Sequence, residues 1–246
     1  MSPRTVLVEG RRPVLEALRA RRTIEVLVAA GSRRTSGLRE VLAAADDAGV
    51  PVTEVPRERI ESLASGPSHQ GVVARAEPPT PLGEADLERR AWPDHARVVV
   101  LDGVTDPQNV GAIGRTAEAA GAAALVLRRR RGAGLTPAAV RASAGALLHL
   151  PVAEVANISR GLGRLKRAGF WVLGLAGEAE TPIGRAAPPP GRLALVLGAE
   201  DEGLSRLVRE SCDELVSIPL RGRVASLNVS AAAAVALFGL PPVDRR

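Results

Sequence analysis

Aromatic side chains, cysteine and lysine are nearly missing from this 246-residue chain, which has two Phe, two Trp, no Tyr and one Cys. A single cysteine, Cys212, excludes an intrachain disulfide framework and a multi-cysteine metal site, and no metal is expected. So few aromatic rings leave little material for the base-stacking platforms that many single-strand nucleic-acid binders use. No stretch approaches the roughly 18 consecutive apolar residues of a membrane span, so no membrane partner is expected. The opening MSPRTVLVEGRRP lacks the apolar centre of a secretory signal, and a cytoplasmic location is expected. Lys166 is the only lysine, so 32 of the 33 basic residues are arginine.

With 46% hydrophobic and 24% charged residues, the chain has the composition of an ordinary globular protein, long enough for one large or two small domains. A net charge of +6 and a pI near 11.0 invite a polyanion, most obviously nucleic acid. A compositional bias accounts for the arginines equally well, because Ala, Gly and Pro are abundant too. Charge divides as +3 over residues 1–76, −2 over 77–91 and +5 over 92–246, so neither flank is strongly basic.

The acidic middle stretch, EPPTPLGEADLERRAWP, is rich in proline and charge and has no hydrophobic period, which reads as an inter-domain linker over 77–91. Residues 1–76 before it form a small α/β unit. RPVLEALRA reads as a helix with Val14, Leu15 and Leu18 on one face, IEVLVAA as a strand, and LREVLAAADDAG as a helix closed by Gly49. VPVTEVP, RERIESLA and GVVARAE follow as strand, helix and strand. Residues 92–246 repeat the alternation at larger scale. RVVVLDGV, AALVL, FWVLGLA, RLALVLG and ELVSIPL are continuous apolar runs, as strands buried on both faces of a parallel sheet require. GAIGRTAEAAG, TPAAVRASAGALLHL, NISRGLGRLKRAG and SLNVSAAAAVALFGL are helical patterns between and after them, with Thr136 and Asn157 as caps. The expected architecture is a doubly wound α/β domain.

Ligands of such sheets bind beyond the carboxyl ends of the strands, and three strand-to-helix turns stand out there. In LDGVTDPQNVGAIGRTAEAAGA, Asp102, Asp106 and Asn109 lie in the turn and Arg115 and Glu118 on the helix. Its glycines do not form a dinucleotide fingerprint; Asn109 fits a helix cap, and Arg115 a solvated partner of Glu118. LVLGAEDEGLS runs a buried strand into a glycine and three acids, which suits either a close ligand approach or acids favoured near a helix start. SIPLRGRVASLNVS leads through a glycine-containing loop to Ser226, Leu227 and Asn228, where Ser226 or Asn228 could serve simply as a cap.

Read in order, the three segments resemble the three motifs of the SpoU (TrmH) family of RNA ribose 2′-O-methyltransferases, in the SPOUT class. Asn109, Gly111, Arg115 and Ala120–Gly121 are similar to the first motif, and Gly198, Glu200, Gly203 and Leu204 to the second. Ile218, Pro219 and Ser226–Ser230 are similar to the third, with Ser143, Gly145 and Ala146 matching between the first two. Gly10, Pro13–Leu18 and His69–Val72 resemble the N-terminal RNA-binding extension of the branch that methylates a guanosine of large-subunit rRNA, so the resemblance covers essentially the whole chain.

That resemblance implies a parallel sheet with a deep C-terminal trefoil knot, S-adenosylmethionine as cofactor, RNA as substrate and a homodimer with shared active sites. It implies catalytic roles for Arg115, Asn109, Glu200, Ser226 and Asn228, and cofactor contacts at Gly198, Ile218 and Leu227. Ala199 stands where many family members carry asparagine, so that side-chain contact is absent. Arginine stays protonated in nearly every protein setting, which favours electrostatic work for Arg115 over base catalysis. Arg11, Arg12, Arg33, Arg34 and the run Arg128–Arg131 are candidates for RNA phosphate contact, a solvated face being the alternative for each. The most direct reading is 2′-O-methylation of a guanosine in 23S rRNA. The same chemistry on tRNA or another rRNA nucleotide stays open, as does an inactive RNA-binding ribosome-assembly factor; the joint presence of Asn109, Arg115, Glu200 and Asn228 argues against the last.

Overall fold

The computed structural model describes residues 5–32, 35–129 and 134–240. Its first unit is a four-stranded sheet, β1 (Val6–Glu9), β2 (Thr23–Ala29), β3 (Val52–Val55) and β4 (Val72–Ala76), ordered β1-β4-β2-β3. Helices α1 (Arg11–Arg19) and α2 (Ser36–Asp47) cover one face and α3 (Arg57–Leu63) the other. Val14, Ala17 and Leu18 of α1 are buried, so the apolar stripe read from the sequence is the packing face. The N-terminal strand β1, absent from the sequence reading, pairs antiparallel with β4.

The second unit is a seven-stranded sheet whose neighbours all pair in parallel. Its strands are β5 (Arg97–Asp102), β6 (Ala124–Arg128), β7 (Val152–Val155), β8 (Phe170–Leu175), β9 (Thr181–Pro182), β10 (Arg192–Gly198) and β11 (Glu214–Ser217), ordered β7-β6-β5-β10-β8-β11-β9. Alternate residues enter different cores. Val99 and Leu101 join Leu125, Leu127 and Leu195 on one face, while Val98 and Val100 join Val126 and Val196 on the other. Burial on both faces is why these strands read as unbroken apolar runs. Helices α5 (Pro107–Ala119), α6 (Pro137–Ala142) and α9 (Val229–Gly239) pack on the first face, and α4 (Asp86–Arg89), α7 (Ile158–Arg167) and α8 (Arg206–Ser211) on the second. The chain runs outward from β5 through β6 to β7, then returns to β8 on the far side of β10. The sheet therefore reverses direction between β5 and β10.

Three local features depart from the sequence reading. The pattern TPAAVRASAGALLHL is not one helix: α6 stops at Ala142, Ala144 and Gly145 take φ of 51° and 92°, and a 3₁₀ turn spans Ala146–Leu148. Buried Ser143 holds that break, donating to the Val140 carbonyl (2.7 Å) and accepting from the Leu147 N–H (3.2 Å). The segment 77–91 is also docked rather than loose. Leu82 bridges β7 through backbone bonds to Val152 and Glu154, Leu87 is fully buried, and Trp92 donates to the Leu87 carbonyl while stacking edge-on against Phe170. Glu88 and Glu84 pair with Arg164 and Arg167 or Arg160 along α7. Finally, one apolar core runs through both units. Arg22 donates to the Leu148 carbonyl, Glu16 meets His149 at 3.3 Å, and Glu9 meets Arg141 at 3.7 Å.

The segment 137–149 is thus clamped between the small unit and α5. A Cβ added at Gly111 would lie 2.4 Å from Ala142 Cβ and 2.6 Å from the Ala139 carbonyl oxygen, so only glycine lets α5 and α6 approach this closely. Gly111→Ala is expected to cost about 1–3 kcal/mol through overpacking against backbone. Gly163→Ala, where a Cβ meets nothing nearer than Arg167 Nη1 at 3.8 Å, is expected to stabilise by about 0.5–1 kcal/mol through helix propensity. Calorimetric melting of the two variants should move in opposite directions; equal shifts would contradict the packing account.

Candidate functional site

A cavity of about 330 Å³ opens at the carboxyl end of the sheet, beside the reversal between β5 and β10. Its walls come from the ends of β8, β10 and β11, from the loops that follow these three strands and from the start of α9. The loop after β10 folds back on itself. Ala199 and Gly203 exchange backbone hydrogen bonds (2.9 and 3.2 Å), which brings Gly203 over Gly198. A Cβ at Gly198 would lie 2.2–2.5 Å from backbone atoms of Gly203 and Leu204, so this glycine is required by the loop's own crossing. Asp102, buried at the end of β5, accepts from the Ser205 N–H at 2.8 Å and pins the loop's far end. The acids 200–202 therefore sit in a closed loop, not in a helix start.

That fold-back places Glu200 among groups distant in sequence. Its Oε1 accepts from Asn109 Nδ2 (3.1 Å), from the Val229 backbone N–H (3.1 Å) and from Asn228 Nδ2. Asn228 Nδ2 also reaches Asn109 Oδ1 (3.1 Å), closing a triangle of three side chains from three turns. Asn109 is free to do this because it is not the cap of α5. Asp106 is, accepting from the Gln108 N–H at 2.9 Å. Asn228 serves both purposes read from the sequence: it caps α9, its Oδ1 accepting from the Ser230 N–H at 2.9 Å, and it joins the cluster. The sequence placed Asp106 in this turn but read Asn109 as the cap, although the Asp-Pro pair opening α5 was the available signal, and it did not single out the Val229 N–H.

Gly198, Ile218 and Leu227 all line the cavity, as do Glu200 and Ser226. Arg115 is not in the hydrogen-bonded cluster. It lies exposed on α5, and among the described residues it makes no hydrogen bond or ion pair, with Glu118 or any other group. Of the phosphate-contact candidates, Arg33, Arg34, Arg130 and Arg131 lie outside the described residues. Apolar walls from Leu175, Leu197, Ile218, Leu220 and Leu227, together with the carboxylates of Glu178 and Glu200–Glu202, suit a ligand with a flat apolar body and a cationic end. Cys212 is held in its thiol form by burial. Burial pushes its thiol up to about 11, and Sγ donates to the Val208 carbonyl.

A parallel α/β domain with a cavity at the carboxyl ends of β8, β10 and β11 has the architecture of a ligand-binding α/β domain, with a small α/β unit docked on it. The profile of the SpoU rRNA methylase family matches residues 96–238, and that of an RNA 2′-O ribose methyltransferase substrate-binding domain matches residues 7–82. The chain belongs to the SpoU rRNA methylase family. It is 44% identical over 219 residues to the 23S rRNA (guanosine-2′-O-)-methyltransferase RlmB of Haemophilus influenzae, covering 88% of each chain. It is 40% identical over 215 residues to RlmB of Escherichia coli, covering 87% of this chain and 88% of that one. Among solved structures it is similar to an RNA 2′-O ribose methyltransferase, with TM-score 0.80, 30% identity and coverage of 97% and 88%. It is also similar to the AdoMet complex of the SpoU methyltransferase AviRb from Streptomyces viridochromogenes, with TM-score 0.75, 27% identity and coverage of 95% and 88%.

The raised Cys212 pKa leaves about a hundredfold less thiolate at neutral pH than an unperturbed cysteine. Native protein should therefore react with a thiol reagent about a hundredfold more slowly than denatured protein at pH 8. Comparable rates would contradict the burial described here.

Proposed function

We propose that this protein transfers a methyl group from S-adenosylmethionine to a ribose 2′-hydroxyl of a guanosine in 23S rRNA. The observation that carries the reading is the Asn109–Glu200–Asn228 cluster at the mouth of a cavity whose walls fit the cofactor. The relatives named RlmB share about 40% of its residues across both units, which supports the same substrate. S-adenosylmethionine, when bound, supplies an electrophilic methyl group. Gly198, Ile218 and Leu227 would hold it through the backbone and apolar surface of the loops after β10 and β11, and the acidic wall suits its positive charge.

The protein's remaining work is alignment and charge. Glu200 gathers the starts of α5 and α9 into one fixed surface, and Asn109 and Asn228 present amide groups there to the acceptor ribose. Ser226, exposed on the cavity wall, adds a hydroxyl to that surface. Arg115 stays protonated, so its part is to hold a phosphate beside the target ribose and to stabilise the oxyanion as the hydroxyl proton leaves to solvent water and the methyl group leaves the sulfonium to give a neutral thioether. Its exposure and lack of an internal partner leave it available for both.

Residues 1–76 are the RNA-binding domain, 77–91 the connection and 92–246 the methyltransferase domain. The deep C-terminal trefoil knot belongs to this reading through the family resemblance. A homodimer is favoured by α9: Val235 and Phe238 are 45% and 65% exposed on a helix whose other face is core. Among the described residues no helix is long and apolar enough to cross a membrane. A ribosomal RNA substrate favours a cytoplasmic location.

Mapping ribose methylation of 23S rRNA from cells with and without the gene should show one 2′-O-methylguanosine disappearing in its absence. It should be restored by the wild-type gene and not by Arg115→Ala. No lost site, or full rescue by the variant, would refute the assignment. Phe238→Arg should convert the dimer to a monomer in light scattering; a wild-type monomer with full activity would remove the shared-site reading.

A further inference from the structure

We infer that Arg221 and Arg223, on the loop between β11 and α9, grip two phosphates of the RNA strand and seat it across the cavity mouth. The inference rests on the methyltransferase reading above and adds substrate-binding residues to it. Its basis is which guanidinium groups of the larger domain are already satisfied.

Along α7 and the amino edge of the sheet, the cations are committed. Arg164 and Arg167 bond Glu88 at 3.0 and 2.9 Å, Lys166 bonds Asp213 at 2.7 Å, and Arg192 donates to the carbonyls of Trp92, Pro93 and Ala168. At the cavity itself Arg209 pairs with Glu178, and farther along α8 Arg206 pairs with Glu210. Arg221 and Arg223 are different. Both are exposed, and among the described residues neither makes a hydrogen bond, an ion pair or a ring contact. Arg115 on helix α5 and Arg185 share that condition, and half-buried Arg128 likewise has no such partner, but neither Arg185 nor Arg128 flanks a residue that lines the cavity.

Their place in the loop fixes what they can reach. Leu220 on one side and Ala225, Ser226 and Leu227 on the other line the cavity, so the two arginines stand at its rim. The same cavity is lined by Glu200, Asp201 and Glu202. Those carboxylates suit a cationic cofactor but repel a polyanion, so an RNA strand approaching the mouth needs compensating charge nearby. Two guanidiniums with no internal partner supply it, each with the planar fork that matches phosphate oxygens. Phosphate contacts fix position and carry no sequence information. The pair therefore sets where the ribose lies and leaves base choice to other contacts.

The test is binding of a 23S rRNA fragment to full-length wild-type protein and to the double variant R221A/R223A, measured over a range of salt concentrations. Affinity of the double variant should fall about tenfold or more, and the slope of log K against log salt should shrink by about 1.5–2, as loss of two phosphate contacts demands. S-adenosylmethionine affinity should stay within about twofold of wild type, which also shows that the loop is intact. R221K/R223K should recover most of the slope, and R206A, whose guanidinium is already taken by Glu210, should not change it. An unchanged slope in the double variant of a wild-type enzyme that methylates RNA overturns this inference alone. Loss of cofactor binding together with RNA binding overturns it too, by making the arginines structural. A wild-type protein that methylates no RNA sinks the functional reading and this inference with it.

Discussion

One carboxylate oxygen organises the site. Glu200 Oε1 accepts from Asn109 on α5 and from Asn228 and the Val229 backbone at the start of α9, so the two helices that bound the cavity mouth are referenced to the loop after β10. Hydrogen bonds to a charged acceptor are the stronger kind, and three on one oxygen leave little freedom in the relative placement of these turns. The arrangement holds because the loop bearing Glu200 is itself closed, by the Ala199–Gly203 bridge and the Asp102–Ser205 bond, with Gly198 making room for the crossing. A sheet whose order reverses between β5 and β10 brings these segments to one edge.

The same economy of space reaches the small N-terminal unit. Gly111 and Gly114 let α5 press against the segment 137–149, and the opposite side of that segment meets α1 through Gly145, Leu148 and His149. Meanwhile the connection 77–91 is held along β7 and α7 by Leu82, Leu87 and two glutamates. The helix that carries Asn109 and Arg115 is therefore braced by the same element on which the small unit rests. The two units are thus held at a fixed separation.

Much of this was legible in the sequence where burial is uniform. The strands buried on both faces announce themselves as apolar runs, and Thr136 and Asn157 cap the helices expected of them. What escaped is what depends on tertiary context. β1 is a short run at the edge of a sheet, and β7 carries Glu154 in its middle, so neither stands out from its neighbours. The helix pattern at 136–150 hides a break because Ala144 and Gly145 preserve apolar spacing while adopting positive φ. Leu82, Leu87 and Trp92 follow no period, yet each finds its own place on the domain. The three site turns were each ambiguous alone. Their ordered resemblance to a family singled them out, and the triangle of Asn109, Glu200 and Asn228 depends on strand order that no local pattern encodes. Arginine excess was the least informative signal of all, since its meaning lies in which guanidiniums have partners.

The central claim is that this cluster serves transfer of a methyl group to a ribose oxygen. The most direct measurement incubates purified protein with isotopically labelled S-adenosylmethionine and unmodified 23S rRNA, then digests the RNA to nucleosides for mass spectrometry. The account predicts the label in 2′-O-methylguanosine alone. Label on a base, or no label in RNA from protein that binds the cofactor, would contradict it.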